Sequence, residues 1–298
     1  MNARINPFRG TGIALVTPFT LQNEVDYPAL KRLVNHCIDG GVEFLVALGT
    51  TAETATLTAD EKQRVVAAVC DAAAGRVPVV QGVGGNDSAK VAAELKAGLR
   101  QGISGVLSVS PYYNKPTQEG IYRHFIHVSA ATDLPIILYN VPGRTGSNMA
   151  AETTLRIAQE VPHAVAIKEA SGSLDQVGQV RHLTPSEFAI YSGDDSLTLP
   201  MLSLGSYGVV RVASHLVGEQ IQQMIQAFVQ GKAAEATNIH LKLLDLFKSL
   251  FLTTNPIPIK TALKLQGWDV GSMRSPLDDC PADITEKLKV VMSALDLL

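Results

Sequence analysis

Short apolar runs rich in β-branched residues recur along the chain, at 12–19, 44–48, 77–83, 105–110, 135–141, 164–169, 188–193 and 208–213. They are too uniformly apolar to alternate, which is the pattern of strands buried on both faces of a parallel sheet. The segments between them carry helical spacing. In 27–38, Leu30, Leu33, Val34 and Cys37 fall at offsets of three and four, and 60–73 is rich in Ala, Val, Glu and Lys. Thr58 with Glu61 three residues later, and Thr117 with Gly120, mark helix starts. Eight strand–helix units with right-handed crossovers predict an α/β fold, a closed TIM (β/α)8 barrel. An open doubly wound sheet is the competing arrangement, and the even spacing of eight units favours closure.

After Gln230-Gly231 the strand pattern stops. Residues 233–251 and 283–297 are amphipathic, and Asn255-Pro256-Ile257-Pro258-Ile259-Lys260 leads into a further helix at 261–265. The expected organisation is a barrel carrying the active site over 1–230 and a C-terminal helical extension over 231–298.

Composition narrows the function classes. The chain has 298 residues, 46% hydrophobic and 18% charged, as a globular protein with a large core requires. The net charge of -3 and the absence of a Lys/Arg cluster give no footprint for nucleic acid, so a small-molecule partner is expected. No apolar run is long enough to span a bilayer, and the stretch 1–7 lacks the layout of a signal peptide, so no membrane partner is expected and the cytoplasm is the expected compartment. Cys37, Cys70 and Cys280 are odd in number and widely spaced, which fits reduced thiols better than disulfides or a zinc site.

In such a barrel the active site lies at the C-terminal ends of the strands. The second run ends in Gly49-Thr50-Thr51-Ala52-Glu53-Thr54, a turn able to hold a carboxylate or simply to cap the next helix. The fourth ends in Pro111-Tyr112-Tyr113-Asn114-Lys115-Pro116, and the fifth in Tyr139-Asn140-Val141-Pro142-Gly143-Arg144. Tyr139 offers a proton-transfer hydroxyl and Arg144 a fork-shaped carboxylate binder. The sixth ends in Ala-Ile-Lys168-Glu169. Lys168 either snorkels to the rim with its charge in water, or is held in the barrel mouth, where desolvation favours the neutral amine that attacks a carbonyl. Position alone leaves both readings open. Glu169, next along the strand, faces the other way and reads as structural. Asp194 and Asp195 end the seventh run. Gly82-Val83-Gly84-Gly85 fails the phosphate-loop spacings, and His124 with His127 lacks a third metal ligand.

Together, Gly-Thr-Thr at 49–51, Pro-Tyr-Tyr-Asn-Lys-Pro at 111–116, Tyr-Asn-Val-Pro-Gly-Arg-Thr-Gly at 139–146, Ile-Lys-Glu-Ala at 167–170 and Ser-Gly-Asp-Asp at 192–195 occur in order at successive strand ends. In these motifs the chain resembles the 4-hydroxy-tetrahydrodipicolinate synthase (dihydrodipicolinate synthase) family of pyruvate-dependent class I aldolases, over essentially its whole length. The resemblance implies a lyase in which Lys168 forms a Schiff base with pyruvate and the enamine attacks aspartate 4-semialdehyde. It implies no metal or organic cofactor, only the covalent pyruvate imine. It also implies that Tyr139 transfers protons, with Thr51 linking it to a Tyr113 that enters the neighbouring subunit's site. Thr50 and Thr51 would hold the pyruvate carboxylate and Arg144 that of the semialdehyde, with Gly193 and Val210 beside Lys168. A homotetramer, a dimer of tight dimers, is implied as well.

Three residues depart from the family pattern. Ala52 replaces a glycine, at a cost if that position needs positive φ. Arg211 and His215 replace serine and asparagine. Strand alternation turns Arg211 outward if Val210 faces in, packing it near the helix layer or the rim, whereas an inward Arg211 would set a positive charge near Lys168. At the implied lysine-effector site Asn86 and Tyr112 are kept, while Ala59, Lys62 and Lys90 are changed, and Lys90 in place of an acidic group predicts weak or absent lysine inhibition. The alternatives are an N-acetylneuraminate lyase or 2-keto-3-deoxy sugar-acid aldolase of the same superfamily, or a catalytically silent keto-acid-binding relative. Arg144 and Tyr113 argue against the sugar-acid enzymes.

Overall fold

The computed structural model describes residues 6–298, so the reading of the first residues as lacking a signal peptide lies largely outside the described residues. Eight parallel strands, β1 (Gly10–Ala14), β2 (Phe44–Ala47), β3 (Val79–Gly82), β4 (Ile103–Val109), β5 (Ile136–Asn140), β6 (Ala164–Glu169), β7 (Ala189–Ser192) and β8 (Gly208–Arg211), follow one another in sequence order around a closed barrel. The pairing of β1 with β8, Gly12 opposite Val210, closes it, and the open sheet is excluded. The helices are α1 (Tyr27–Asp39), α2 (Ala59–Ala73), α3 (Ser88–Lys96), α4 (Gln118–Ser129), the single turn α5 (Pro142–Thr145), α6 (Ala151–Glu160), α7 (Leu174–Leu183), α8 (Thr198–Ser203) and α9 (Ser214–Val229). The C-terminal part adds α10 (Ala233–Ser249), α11 (Ile257–Leu265) and α12 (Ala282–Ser293).

The local signals act as expected. Leu30, Leu33, Val34 and Cys37 form the buried face of α1. Thr58 and Glu61 make a reciprocal capping box at α2, and the Thr117 side chain accepts from the Gly120 amide at α4. Boundaries moved where an apolar run extends beyond the ladder. The first apolar run spans 12–19, but the strand is Gly10–Ala14, and Leu15, Val16 and Phe19 are buried in the loop that follows. α11 begins four residues earlier than the spacing suggested, with Pro258 in its first turn, where a missing N–H costs nothing.

Alternate strand residues separate two cores. Phe44, Val46, Val80, Leu107, Ile137, Tyr139, Ala166, Tyr191 and Val210 fill the barrel interior, and Phe8 closes it from below, its carbonyl accepting from the Tyr191 hydroxyl at 2.6 Å. Outward residues such as Leu45 and Val209 join the helix layer in a cluster that continues into Leu243, Leu246, Phe247, Ile259, Leu263 and Leu288 of the C-terminal helices. The extension therefore shares the barrel's outer core. Cys37, Cys70 and Cys280 are free thiols. No helix of the described residues is long and apolar enough to cross a membrane.

Candidate active site

Register brings the two central residues together. Tyr139 on β5 is paired with Lys168 on β6, which is paired in turn with Tyr191 on β7. Residues opposite each other on neighbouring parallel strands share a face, so all three point into the barrel. The Lys168 ammonium nitrogen lies 4.2 Å from the centre of the Tyr139 ring, and the two residues are 4% and 5% exposed. That burial excludes the snorkelling arrangement. Desolvation, reinforced by the positive charge of Arg211, holds Lys168 well below the usual lysine range, with Asp195 opposing and Arg144 adding to the fall. Burial also raises Tyr139, while Arg211 and Arg144 pull it back down. A neutral amine beside a protonated phenol is the arrangement in which an amine attacks a carbonyl and a proton donor stands ready.

Above this pair opens a cavity of about 430 Å³ lined by Gly49, Thr50, Tyr112, Tyr139, Arg144 and Asn255, among others. The turn after β2 forms a 3-10 helix, Thr50–Ala52, that leaves Thr50 exposed to the mouth and Thr51 buried. The left-handed position is taken by Glu53, at φ 53°, not by Ala52. Alanine in place of glycine at 52 is therefore free of the strain that a positive φ would impose. Leu48, Glu53, Tyr113 and Lys115 are four of the seven non-glycine residues with positive φ among those described, and all four stand at the ends of β2 and β4. Such conformations cluster where surrounding structure holds a functional loop in one shape.

The C-terminal segment knits these loops together, which the sequence reading missed. Asn255 donates through its side chain to Thr51 Oγ1 at 2.9 Å, and its carbonyl accepts from Arg144 Nη2 at 3.1 Å. One residue thus ties the loop after β2 to the loop after β5. Glu53 is locked by Lys260, whose ammonium sits 2.9 Å from Glu53 Oε1 and also donates to the Ser272 carbonyl, while the Arg274 amide donates to Glu53 Oε2. The signal was present in Asn-Pro-Ile-Pro-Ile-Lys, but nothing local says that Asn255 and Lys260 face residues some 200 positions earlier.

The other expected residues divide. Gly193 lies at the end of β7, where a Cβ would come within 2.5 Å of the Ala170 Cβ, so glycine allows the loops after β6 and β7 to touch. Val210 faces the interior and is fully buried. Tyr113 is 87% exposed, so it does not join Thr51 and Tyr139 within a single chain, and Thr51 Oγ1 accepts from the Asn255 side chain, which leaves the hydroxyl its own proton to donate. Asn86 and Tyr112 are both exposed, and the Asn86 carbonyl accepts from the Asn114 side chain. Glu169 faces outward as expected, holding the side chains of Asn140 and Gln176 and the Ser171 amide.

His215 is fully buried and donates from Nδ1 to the Val212 carbonyl at 2.8 Å, while Nε2 faces the Val16 amide at 3.4 Å; burial first of all keeps it neutral, down at about 4. It is a structural residue. Arg211 leaves the outer face of β8 and turns along the rim, its guanidinium carbon 3.8 Å from the centre of the Phe251 ring and its Nε 3.9 Å from Asp195. It reaches the rim, and its charge still acts on Lys168.

The comparisons with known proteins agree with this geometry. The model of the dihydrodipicolinate synthetase family matches residues 7–295. A 4-hydroxy-tetrahydrodipicolinate synthase of a Nostoc species is 52% identical over 286 residues, covering 96% of this chain and 97% of that protein. One from Desulforamulus reducens is 47% identical over 285 residues, covering 96% of each. Among solved structures, dihydrodipicolinate synthase of Cyanidioschyzon merolae with lysine bound superposes with a TM-score of 0.95 at 47% identity, over 98% of this chain and 100% of that one. The enzyme of Thermotoga maritima superposes with a TM-score of 0.96 at 40% identity, over 98% and 100%. A family match over nearly every residue, on a barrel whose sixth strand ends in a desolvated lysine, assigns the chain to the dihydrodipicolinate synthetase family.

Proposed function

We propose that the protein is a lyase that condenses pyruvate with L-aspartate 4-semialdehyde to 4-hydroxy-tetrahydrodipicolinate, in the diaminopimelate route of lysine biosynthesis. The single observation that carries the reading is Lys168, buried at the end of β6 with its amine 4.2 Å from the Tyr139 ring centre, beneath a cavity that Arg144 lines. The relatives' shared name supplies the substrates.

In the proposed mechanism the neutral Lys168 amine adds to the pyruvate ketone, and water leaves as the imine forms. Tyr139 donates the proton that the departing hydroxyl needs. Loss of a methyl proton gives the enamine, whose carbon attacks the semialdehyde carbon and forms the C–C bond. The substrate's own amine then displaces Lys168 from the imine, closing the ring and restoring the enzyme, with one water released overall. Thr50 and Thr51, in a turn rich in hydroxyls and backbone N–H groups, bind the pyruvate carboxylate. Arg144 binds the second carboxylate as a fork, and Gly193 and Val210 shape the wall beside Lys168. The protonated imine serves as the electron sink, so the carbon chemistry calls for no metal or organic cofactor.

The exposure of Tyr113 at positive φ favours its insertion into a neighbouring subunit of a homotetramer built from tight dimers, where it completes the relay with Thr51 and Tyr139. The enzyme works in the cytoplasm on small molecules. Lysine inhibits weakly or not at all, since an effector bound near Asn86 and Tyr112 would meet the exposed ammonium of Lys90; half-inhibition well below about 1 mM lysine would overturn this.

Incubation with pyruvate and borohydride, then mass spectrometry, tests the chemistry, and a coupled assay with aspartate semialdehyde tests the substrate. The expected result is a reduced pyruvyl adduct on Lys168 with semialdehyde turnover. No adduct would remove the Schiff-base mechanism, and an adduct without turnover would favour a sugar-acid aldolase or a silent keto-acid-binding protein.

A further inference from the structure

Behind Tyr139 and Lys168, the next residues of the same two strands form a second pair. Asn140 and Glu169 stand opposite each other on the outer face of β5 and β6, and Asn140 Nδ2 donates to Glu169 Oε1 and Oε2 at 3.1 and 3.0 Å. Both residues are buried. Glu169 also accepts from the Ser171 amide at 2.7 Å and from Gln176 Nε2 at 2.9 Å. All of these partners are neutral N–H groups. A buried charge is costly unless its lone pairs are filled, and donors from β5, the loop after β6 and α7 fill them here. Only a carboxylate suits this set, because a protonated acid or an amide at 169 would turn a donor against one of them.

The Asn140 amide cannot turn over without loss. Its Oδ1 accepts from the Met149 amide at 3.0 Å, which directs Nδ2 to Glu169 and to Asn148 Oδ1. Gln176 Nε2 reaches the Met149 carbonyl and Asn148 Oδ1 as well, so the segment after α5, the turn that carries Arg144, is pinned to the same carboxylate. The strands need such a pin. Their register shifts between Ile136, opposite Ala164, and Ile137, opposite Ala166, and beyond the shift Leu138 and Ile167 meet as apolar residues with no directional preference. Asn140 and Glu169 make the directional contact past the shift, one residue beyond the reacting pair.

We propose that Glu169 and Asn140 are positioning residues for the Schiff base: their buried hydrogen bonds hold β5 and β6 in the one register that sets the Lys168 amine beside Tyr139. The inference rests on the Schiff-base reading above. Their side chains lie on the far side of the strands from the cavity, so they act through the backbone that carries Lys168 and Tyr139 and touch no substrate. Amine and phenol must meet at one carbonyl, and a displacement of about 1 Å can cost roughly 100-fold in rate.

The test is cyanoborohydride trapping at saturating pyruvate by the native protein and by the Glu169→Gln, Asn140→Ala and Gln176→Met variants. Rates and kcat are expressed per Lys168 site trapped at completion, with Tm measured alongside. Glu169→Gln and Asn140→Ala should lower the trapping rate and kcat per site by roughly 10–100-fold, with the pyruvate KM little changed. Gln176→Met takes a donor from the same carboxylate on the helix side, so it should lower Tm yet trap at nearly the native rate per site. A purely structural role would lower Tm in all three and leave the rate per site unchanged in all three. Native rates per site in Glu169→Gln, or equal slowing in Gln176→Met, would overturn the proposal. Should Glu169→Gln fail to fold, Asn140→Ala decides by the same comparison with Gln176→Met. Failure of the native protein to trap pyruvate would instead remove the Schiff-base reading itself.

Discussion

Replacing Lys260 by methionine tests whether the C-terminal extension holds the loop after β2 in place. Lys260 and Glu53 are 0% and 1% exposed and pair at 2.9 Å, a distance at which two unit charges attract by roughly 6 kcal/mol at an effective dielectric of 20. Methionine copies the stem of the lysine but leaves the Glu53 carboxylate buried without its cation. Breaking a buried pair from one side costs about 3–5 kcal/mol. Glu53 Oε2 keeps the Arg274 amide, so the lower end, about 3 kcal/mol, applies. For a chain of this size that is an apparent melting temperature lower by about 5 °C. Glu53→Gln should cost less, because Lys260, which burial already brings down to about 8, can shed its proton once the carboxylate is gone. The double variant Glu53→Gln/Lys260→Met should recover part of the loss, since no uncompensated charge remains. Glu53 directly follows the Thr50–Ala52 turn, so both single variants should raise the pyruvate KM more than they lower kcat. Scanning calorimetry at a fixed scan rate, with steady-state kinetics at pH 7.5, reads all three. A Lys260→Met protein that melts with the native one, or a double variant worse than the sum of the singles, would refute the reasoning.

Tyr139→Phe should lower kcat by roughly 10²–10⁴-fold, the span of a lost general acid–base group, while mass spectrometry still detects slow pyruvate trapping. Arg144→Ala should instead leave trapping intact and raise the semialdehyde KM by roughly 10–100-fold, the loss of a charge-assisted hydrogen bond. Ala52→Gly should bring no gain in kcat/KM and should cost about 0.5–1 kcal/mol by denaturant titration, because position 52 lies in a 3-10 turn without positive φ. In acid, the Arg274 hydrogen bond holds Glu61 down at about 2 against an ordinary 4.5, so its contribution is complete above pH 4.5 and is lost as pH falls toward 2. An acid titration followed by circular dichroism should show Arg274→Ala losing less stability than the native protein over that interval.

What the sequence determined is local. A buried run of β-branched residues, an amphipathic spacing of three and four, a capping box at Thr58 and a lysine after Ala-Val-Ala-Ile each depend on near neighbours, and the barrel, the face of α1 and the strand end carrying Lys168 follow from them. The pairing of Tyr139 with Lys168 was not among them, because strand order leaves register open and a shift between Ile136 and Ile137 sets which residues stand opposite. Tertiary structure decided the rest. Asn255 reaches Thr51 across 204 positions and Lys260 reaches Glu53 across 207, contacts that exist only because the C-terminal helices fold back over the barrel mouth. Whether Ala52 is strained depended on which residue of its turn takes the left-handed angle. Whether Lys168 is desolvated, or Arg211 acts on it, depended on how the rim closes, since burial and field are properties of everything packed around a charge and not of the residues beside it in the chain.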